Sequence, residues 1–194
     1  MSRASAAQQA ASTRERILDA AVQRFSRRSY EETGLRDIAA DVGVDVAYVH
    51  RCFGSKEKLF AEAVRVALKA DRSFPDDSRE LGRALARQAL ARDGKHSHGR
   101  TGSLDIVIRS LSSPQAAAVL REFIVADFIT PLSRHVDQPS LRRASLIMAF
   151  LAGLGILRNV LDVASLREAG GGELEAMIAC IIQLIIAAPA SGRA

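Results

Sequence analysis

Residues 30–60 read YEETGLRDIAADVGVDVAYVHRCFGSKEKLF, and the spacing of apolar residues in this stretch decides the fold. Leu35, Ile38, Ala39 and Val42 fall on one face of a short helix. Thr33 is the expected cap of that helix. Gly43 follows where the chain must stop and turn, a left-handed position that glycine takes without a Cβ clash. Val44 is an apolar plug, and Asp45 is placed to cap a second short helix from Val46 to about Cys52. Ser55 then caps a longer helix whose buried stripe is Leu59, Phe60, Ala63, Val64, Ala67 and Leu68.

Upstream, Ser12 or Thr13 is the expected cap of a first helix carrying the stripe Ile17, Leu18, Ala21, Val22 and Phe25. Arg24, Arg27 and Arg28 close it and complement the negative end of its dipole. Residues 1–11 are small and polar and are expected to form a flexible tail, in which Arg3 is either a phosphate contact or simply solvated. Two short helices joined by a tight glycine turn, between two longer ones, are a helix-turn-helix arrangement. In that geometry the second short helix enters the major groove of DNA with its N-terminal half.

Residues 13–64 resemble the DNA-binding domain of the tetracycline-repressor (TetR) family of bacterial regulators. The resemblance is carried by RERILDAAVQRF on the first helix, LRDIAADVGV with its turn, and FGSKEKLF opening the fourth helix. It implies that Thr33 and Lys56 touch phosphate, contacts that position the protein without reading sequence, with a solvated helix-start lysine as the alternative for Lys56. On the second short helix Val49 and Phe53 are expected inside, leaving Val46, Ala47, Tyr48, His50 and Arg51 for the DNA side, with capping Asp45 beside them. Valine or alanine suits a thymine methyl, and Tyr48 offers one hydrogen bond. Arg51 suits a phosphate or a guanine edge. Arg36 is a further DNA candidate, with an ion pair to Asp41 or Glu32 as the alternative. The pattern departs from the family at Gly34, Asp45, His50 and Cys52. Asp45 keeps a capping oxygen but brings negative charge toward phosphates. His50 invites a pH-sensing reading, but a neutral hydrogen-bond donor is favoured. Cys52 is read as half-buried packing, with a redox sensor as the alternative.

The chain of 194 residues is 48% hydrophobic, lacks tryptophan and is rich in good helix formers, which points to an all-α fold. Apolar residues show no sustained alternation, so strands are not expected. A net charge of +5 suits a phosphate-bearing partner. Cys52 and Cys180 have no metal-type spacing and suit a reducing compartment. The opening MSRASAAQQAAST has no apolar core, so a secretory signal is not expected. Met177 to Ala188 is the most apolar stretch and too short to span a bilayer. A cytoplasmic protein with no membrane partner is therefore expected. There is no glycine-rich phosphate loop, no H-E-x-x-H and no serine elbow, so neither an enzyme nor a cofactor is expected. His96 and His98 form an H-x-H pair in the polar loop DGKHSHGRTGS, where two ligands alone make a poor metal site and solvated histidines are favoured.

Downstream, Leu81, Leu85 and Leu90 mark a helix ending near Asp93, and Ser103 is expected to cap a short helix through Leu111. Ser113 and Pro114 form a helix start, and Pro131 is expected to bend or end the helix that follows. Gln138-Pro139 is the expected start of a long helix through about Val163, in which Gly153 and Gly155 suggest close packing on another helix. The last helix, Glu173 to Ala187, is apolar almost all round and cannot sit on a monomer's surface.

The family resemblance implies that the last two helices pair with their symmetry mates, giving a homodimer on a palindromic operator. Ala149, Gly153, Ile156, Met177, Ile178, Ile181, Ile182 and Ile185 are the expected interface, with burial within the monomer core as the alternative. It also implies a small-molecule effector site in the middle helices, with Ile106, Ile108, Leu111, Leu120, Phe123, Ile124, Phe128 and Ile129 as candidate walls and core packing as their alternative. The expected organisation is a tail (1–11), a helix-turn-helix domain (12–54), a linking helix (55–72) and a helical effector-binding and dimerisation domain (73–194). The expected function is a ligand-responsive repressor; a helical protein-interaction module with weakened DNA binding is the competing reading.

Overall fold

The computed structural model describes residues 3–68, 74–91, 104–136, 140–167 and 172–188, with side chains from Ser12 onward. Among them there are helices and no strand: α1 (Arg3–Arg27), α2 (Leu35–Val42), α3 (Val46–Phe53), α4 (Lys56–Ala67), α5 (Ser78–Ala91), α6 (Asp105–Ser110), α7 (Pro114–Ile124), α8 (Thr130–Leu132), α9 (Leu141–Gly155) and α10 (Glu173–Ala187). Two compact units result, Met1–Ala70 with Thr101–Phe123, and Asp71–Arg100 with Ile124–Ala194. This division differs from one made in chain order, because α6 packs on α1 and α4.

In the first unit the apolar stripes of α1, α2 and α4 meet. Ile17, Ala21, Phe25, Ile38, Leu59, Phe60, Ala63 and Val64 are all fully buried. Each large side chain so buried contributes about 1.5–3 kcal/mol relative to exposure. Phe25 and Phe60 meet edge to face at 4.9 Å, and Tyr30 stands edge-on to Phe60 at 5.1 Å. Two ion pairs fasten α1 to its neighbours: Arg14 Nη2 donates to both carboxylate oxygens of Glu62 on α4, and Arg24 makes a bidentate pair with Asp41 of α2. α1 begins at Arg3, ahead of the cap expected at Ser12 or Thr13. Five alanines between Ala4 and Ala11 let the helix run on through Ser12 and Thr13. Ile106 of α6 is fully buried, and Arg109 donates to the Ser26 carbonyl at 3.0 Å. Ser113 caps α7 as expected, accepting from the Ala116 amide, and its hydroxyl donates to Glu31 at 2.6 Å.

The second unit is built around α10. Ile178, Ile182 and Ile186 face a core of Leu81, Leu85, Ala86, Leu132, Val136, Ala144, Ile147 and Leu154. α5 comes close to α10 at Gly82, where a Cβ would lie 3.1 Å from the Ala179 carbonyl oxygen. The close approach expected at Gly153 is not made among the described residues, where a Cβ there would meet nothing within 4 Å. Ahead of Pro131 the backbone widens into a π turn, Val125–Ile129. Proline has no amide to continue the ladder and its ring crowds the carbonyl four residues back. α9 is capped by Ser140, which accepts from the Arg143 amide, rather than starting at Pro139, which lies outside the described residues. The buried Arg143 guanidinium donates to the Ala188 carbonyl at the negative end of α10. A cleft of about 570 Å³ runs beside α5 and α10, lined by Arg79, Arg83, Gly172, Glu175, Ala176, Ala179, Cys180 and Gln183.

Candidate nucleic-acid interface

The turn between α2 and α3 is built as the sequence requires. Gly43 is left-handed (φ 73°) and its amide donates to the α2 C-terminal carbonyls, while Val44 donates to the Ala39 carbonyl at 3.0 Å. The Asp45 carboxylate accepts from the Ala47 amide at 2.6 Å and so caps α3. Val49 and Phe53 are buried and hold α3 against the rest of the unit. The other residues of α3 are more open: Ala47, His50 and Arg51 are exposed, and Val46, Tyr48 and Cys52 are half-buried. The Arg51 guanidinium lies 5.4 Å from the Tyr48 ring centroid, and His50 Nδ1 lies 3.3 Å from the Gly54 carbonyl.

The flanks of α3 complete the surface. Ser55 accepts from the Lys58 amide and starts α4 with Lys56 in its first turn. Lys56 Nζ sits 4.2 Å from the centroid of the Tyr30 ring. Arg36 on α2 is exposed and has no ion-pair partner among the described residues; of its two candidate partners, Asp41 is held by Arg24 and Glu32 accepts from Ser29. Arg24's hydrogen bond lowers the Asp41 pKa, and the same bond raises that of Arg24. A cleft of about 260 Å³ on this flank is lined by Gln23, Arg24, Arg27, Arg28 and Asp41.

Thr33 is a correction. It is fully buried, and its hydroxyl donates to the Ser29 carbonyl at 3.0 Å, so it neither caps α2 nor reaches a phosphate from this position. Gly34 is the capping residue instead, and the Asp37 carboxylate accepts from its amide at 3.1 Å. A glycine has no side chain to offer the helix, so α2 borrows its cap from its own first turn. The Tyr30–Lys56 pairing had no signal in spacing, because it joins a loop residue to a helix start 26 positions on.

The remaining expected sites are only partly brought together. Ile106, Leu120 and Phe123 are core residues of the first unit, Ile108 is half-buried, and Leu111 is 59% exposed. Ile124, Phe128 and Ile129 are half-buried in the second unit. None of the eight lines either cleft. Of the expected interface residues, Ile178 and Ile182 are core: they occupy the inner face of α10. Ala149, Met177 and Ile181 are exposed, and Gly153, Ile156 and Ile185 are half-buried. The loop holding His96 and His98 lies outside the described residues, and no cluster of three or more metal-ligating side chains occurs among the described ones.

A tri-helical head presenting α3 outward, joined in one chain to a second helical unit, defines a helix-turn-helix protein. The description "Bacterial regulatory proteins, tetR family" matches residues 17–63, and "Tetracyclin repressor-like, C-terminal domain" matches residues 79–186. The chain belongs to the tetracycline-repressor family. It is 34% identical over 80 residues to the HTH-type nicotine-responsive transcriptional repressor HdnoR of Paenarthrobacter nicotinovorans. That match spans 40% of this chain and 41% of the repressor's length. A solved TetR-family regulator from Streptomyces coelicolor A3 is 26% identical, with a TM-score of 0.56 over 90% of this chain and 94% of its own. The multidrug binding protein EbrR, solved with proflavin, shares the fold at 19% identity (TM-score 0.58, 89% of this chain, 99% of that one).

Proposed function

We propose that the protein is a ligand-responsive transcriptional repressor that binds a palindromic operator as a homodimer. The observation that carries the reading is α3 itself: Val49 and Phe53 anchor it while Ala47, His50 and Arg51 stand exposed, with Arg36 and Lys56 on either side. Family membership and the repressor relative support the same reading. Arg51, His50, Tyr48, Ala47 and Val46 face base edges, while Lys56 and Arg36 hold phosphates and set the register.

Dimerisation is supported by the outer face of α10. Met177, Ile181 and Leu184, one helical stripe, are 56%, 38% and 67% exposed, and Leu146 and Leu157 add exposed apolar surface. Water contact over such a patch is unfavourable, and a second copy of the same face would cover it. Two heads would then meet successive major grooves about 34 Å apart. The 20-residue segment Leu141–Val160 is apolar enough to cross a bilayer by length and composition. Its buried Arg143 and Arg158, with Ala144, Ile147 and Leu154 in the core, favour packing against protein over a lipid setting.

The effector is a small apolar or amphipathic molecule, with the half-buried Ile124, Phe128 and Ile129 as the remaining candidate walls in the second unit. EbrR with proflavin shows one protein of this fold holding a small molecule. Such a ligand acts only through its difference in affinity between DNA-competent and DNA-incompetent states. No catalytic role is assigned.

A gel-shift titration with DNA upstream of the protein's own gene, at two salt concentrations, tests the DNA reading. A discrete shift that weakens steeply with salt and survives competitor DNA is expected. Equal, feeble binding to every sequence, repeated in a genome-wide selection of bound fragments, would sink it and favour the interaction-module reading. Sedimentation of the Met177→Glu, Leu184→Glu double variant tests the dimer: a dimer falling to a helical monomer is expected, and an unchanged mass would overturn that interface.

A further inference from the structure

We propose that Tyr30 is a positioning residue for DNA binding: its buried ring is the platform that holds the Lys56 ammonium ready for a backbone phosphate. This rests on the DNA-binding reading above and deepens it.

The platform is rigid. Tyr30 is 3% exposed, stacked on Phe25 at 5.9 Å and edge-on to Phe60 at 5.1 Å, and both phenylalanines are fully buried. Lys56 Nζ sits over the ring at 4.2 Å from its centroid. An ammonium over an aromatic face is attracted by the ring quadrupole. The ring stays neutral at any working pH, since burial first, and then the Glu57 carboxylate, push the tyrosine pKa up.

The chemistry of lysine makes this contact useful. Its ammonium has three N–H donors and a flexible four-carbon stem. The ring takes one side of the ammonium, and the other donors remain for an anion. A free lysine loses rotamer entropy when it meets a phosphate, whereas one already held over a ring loses less. Ser55, capping α4 one residue earlier, fixes the backbone from which Lys56 starts.

The experiment has two parts. In the free protein, with labelled lysine, the Lys56 Cε protons should show an upfield ring-current shift in the NMR spectrum. Ordinary lysine shifts there would overturn the proposal without any variant being made. Binding of a random-sequence DNA duplex, followed by fluorescence anisotropy across a salt series, gives the second part. Lys56→Ala should lower the log–log salt slope by about 0.9, one phosphate's worth. Tyr30→Leu should weaken binding about two- to fivefold, the range of an exposed cation–π contact. In that background Lys56→Ala should then cost less than in the wild type. Tyr30→Phe, which keeps the ring face, should bind like the wild type. Lys56→Ala costing the same in both backgrounds, with circular dichroism showing Tyr30→Leu folded, would overturn the platform and leave DNA binding standing. A wild-type protein that binds no duplex even at low salt would overturn the DNA-binding reading itself, and this proposal with it.

Discussion

The two units of this chain use apolar residues in different ways. In the first, each helix has one apolar stripe and the stripes face inward: Ile17 and Phe25 of α1, Ile38 of α2, Val49 of α3 and Phe60 of α4 are buried to 1% exposure or less. In the second, α10 is apolar on two faces. Ile178, Ile182 and Ile186 are buried, while Met177 and Leu184 on the opposite side are more than half exposed. An amphipathic helix can satisfy its sequence within one chain, whereas a helix apolar all round needs neighbours on both sides. The difference teaches that the stripes of the head close on one another, whereas α10 keeps a second apolar face, Met177 and Leu184, that its own described core does not cover.

The largest test of that contrast is Phe60→Ala. It removes a fully buried ring that touches Phe25 and Tyr30, and should cost about 3–5 kcal/mol in a denaturation experiment. Leu184→Ala, at 67% exposure, should leave the fold's stability nearly unchanged at a protein concentration low enough to favour monomer. Equal losses at the two positions would break the comparison.

A middle-sized effect is expected at Gly82. Its added Cβ would sit 3.1 Å from the Ala179 carbonyl oxygen, which is backbone and yields little. Gly82→Ala should therefore destabilise the second unit by about 1–3 kcal/mol, the cost of overpacking, despite alanine's better helix propensity. A gain in melting temperature would show that α5 and α10 have room to separate.

The smallest effect lies at the α1–α2 ion pair. Arg24 depresses the Asp41 pKa, so the pair's stabilisation is fully present above the ordinary aspartate range and is lost as pH falls through the lowered folded value. Both side chains are partly exposed, at 23% and 40%, so water screens the pair and Asp41→Asn should cost only about 0.5 kcal/mol at neutral pH. The difference between wild type and variant should vanish in acid. A difference that persists below the aspartate range would assign the effect to packing.

Much of the head was legible from residues 30–60 because its signals are local. Gly43 needs its left-handed backbone, Asp45 and Ser55 cap the helices that follow them, and the stripes of α2 and α4 repeat at helical spacing. Thr33 was misread because a hydroxyl beside a helix start looks like a cap until the fold shows where it points. Its hydroxyl turned inward to Ser29, and the contact depends on the loop's path rather than on its composition. Ile178 and Ile182 were misassigned for a related reason. On an all-apolar helix no polar residue marks which side faces the core, so either face fits a sequence pattern.

By itself, then, the sequence determined the helical class, the helix-turn-helix with the caps of α3 and α4, and the family to which the chain belongs, because periodicity and capping are properties of neighbours in the chain. Only the tertiary structure decided which face of α10 is core, that Gly82 rather than Gly153 is the point of close approach, and that Tyr30 lies under Lys56. Those are contacts between segments far apart in sequence, and they are set by how helices meet rather than by what each helix contains.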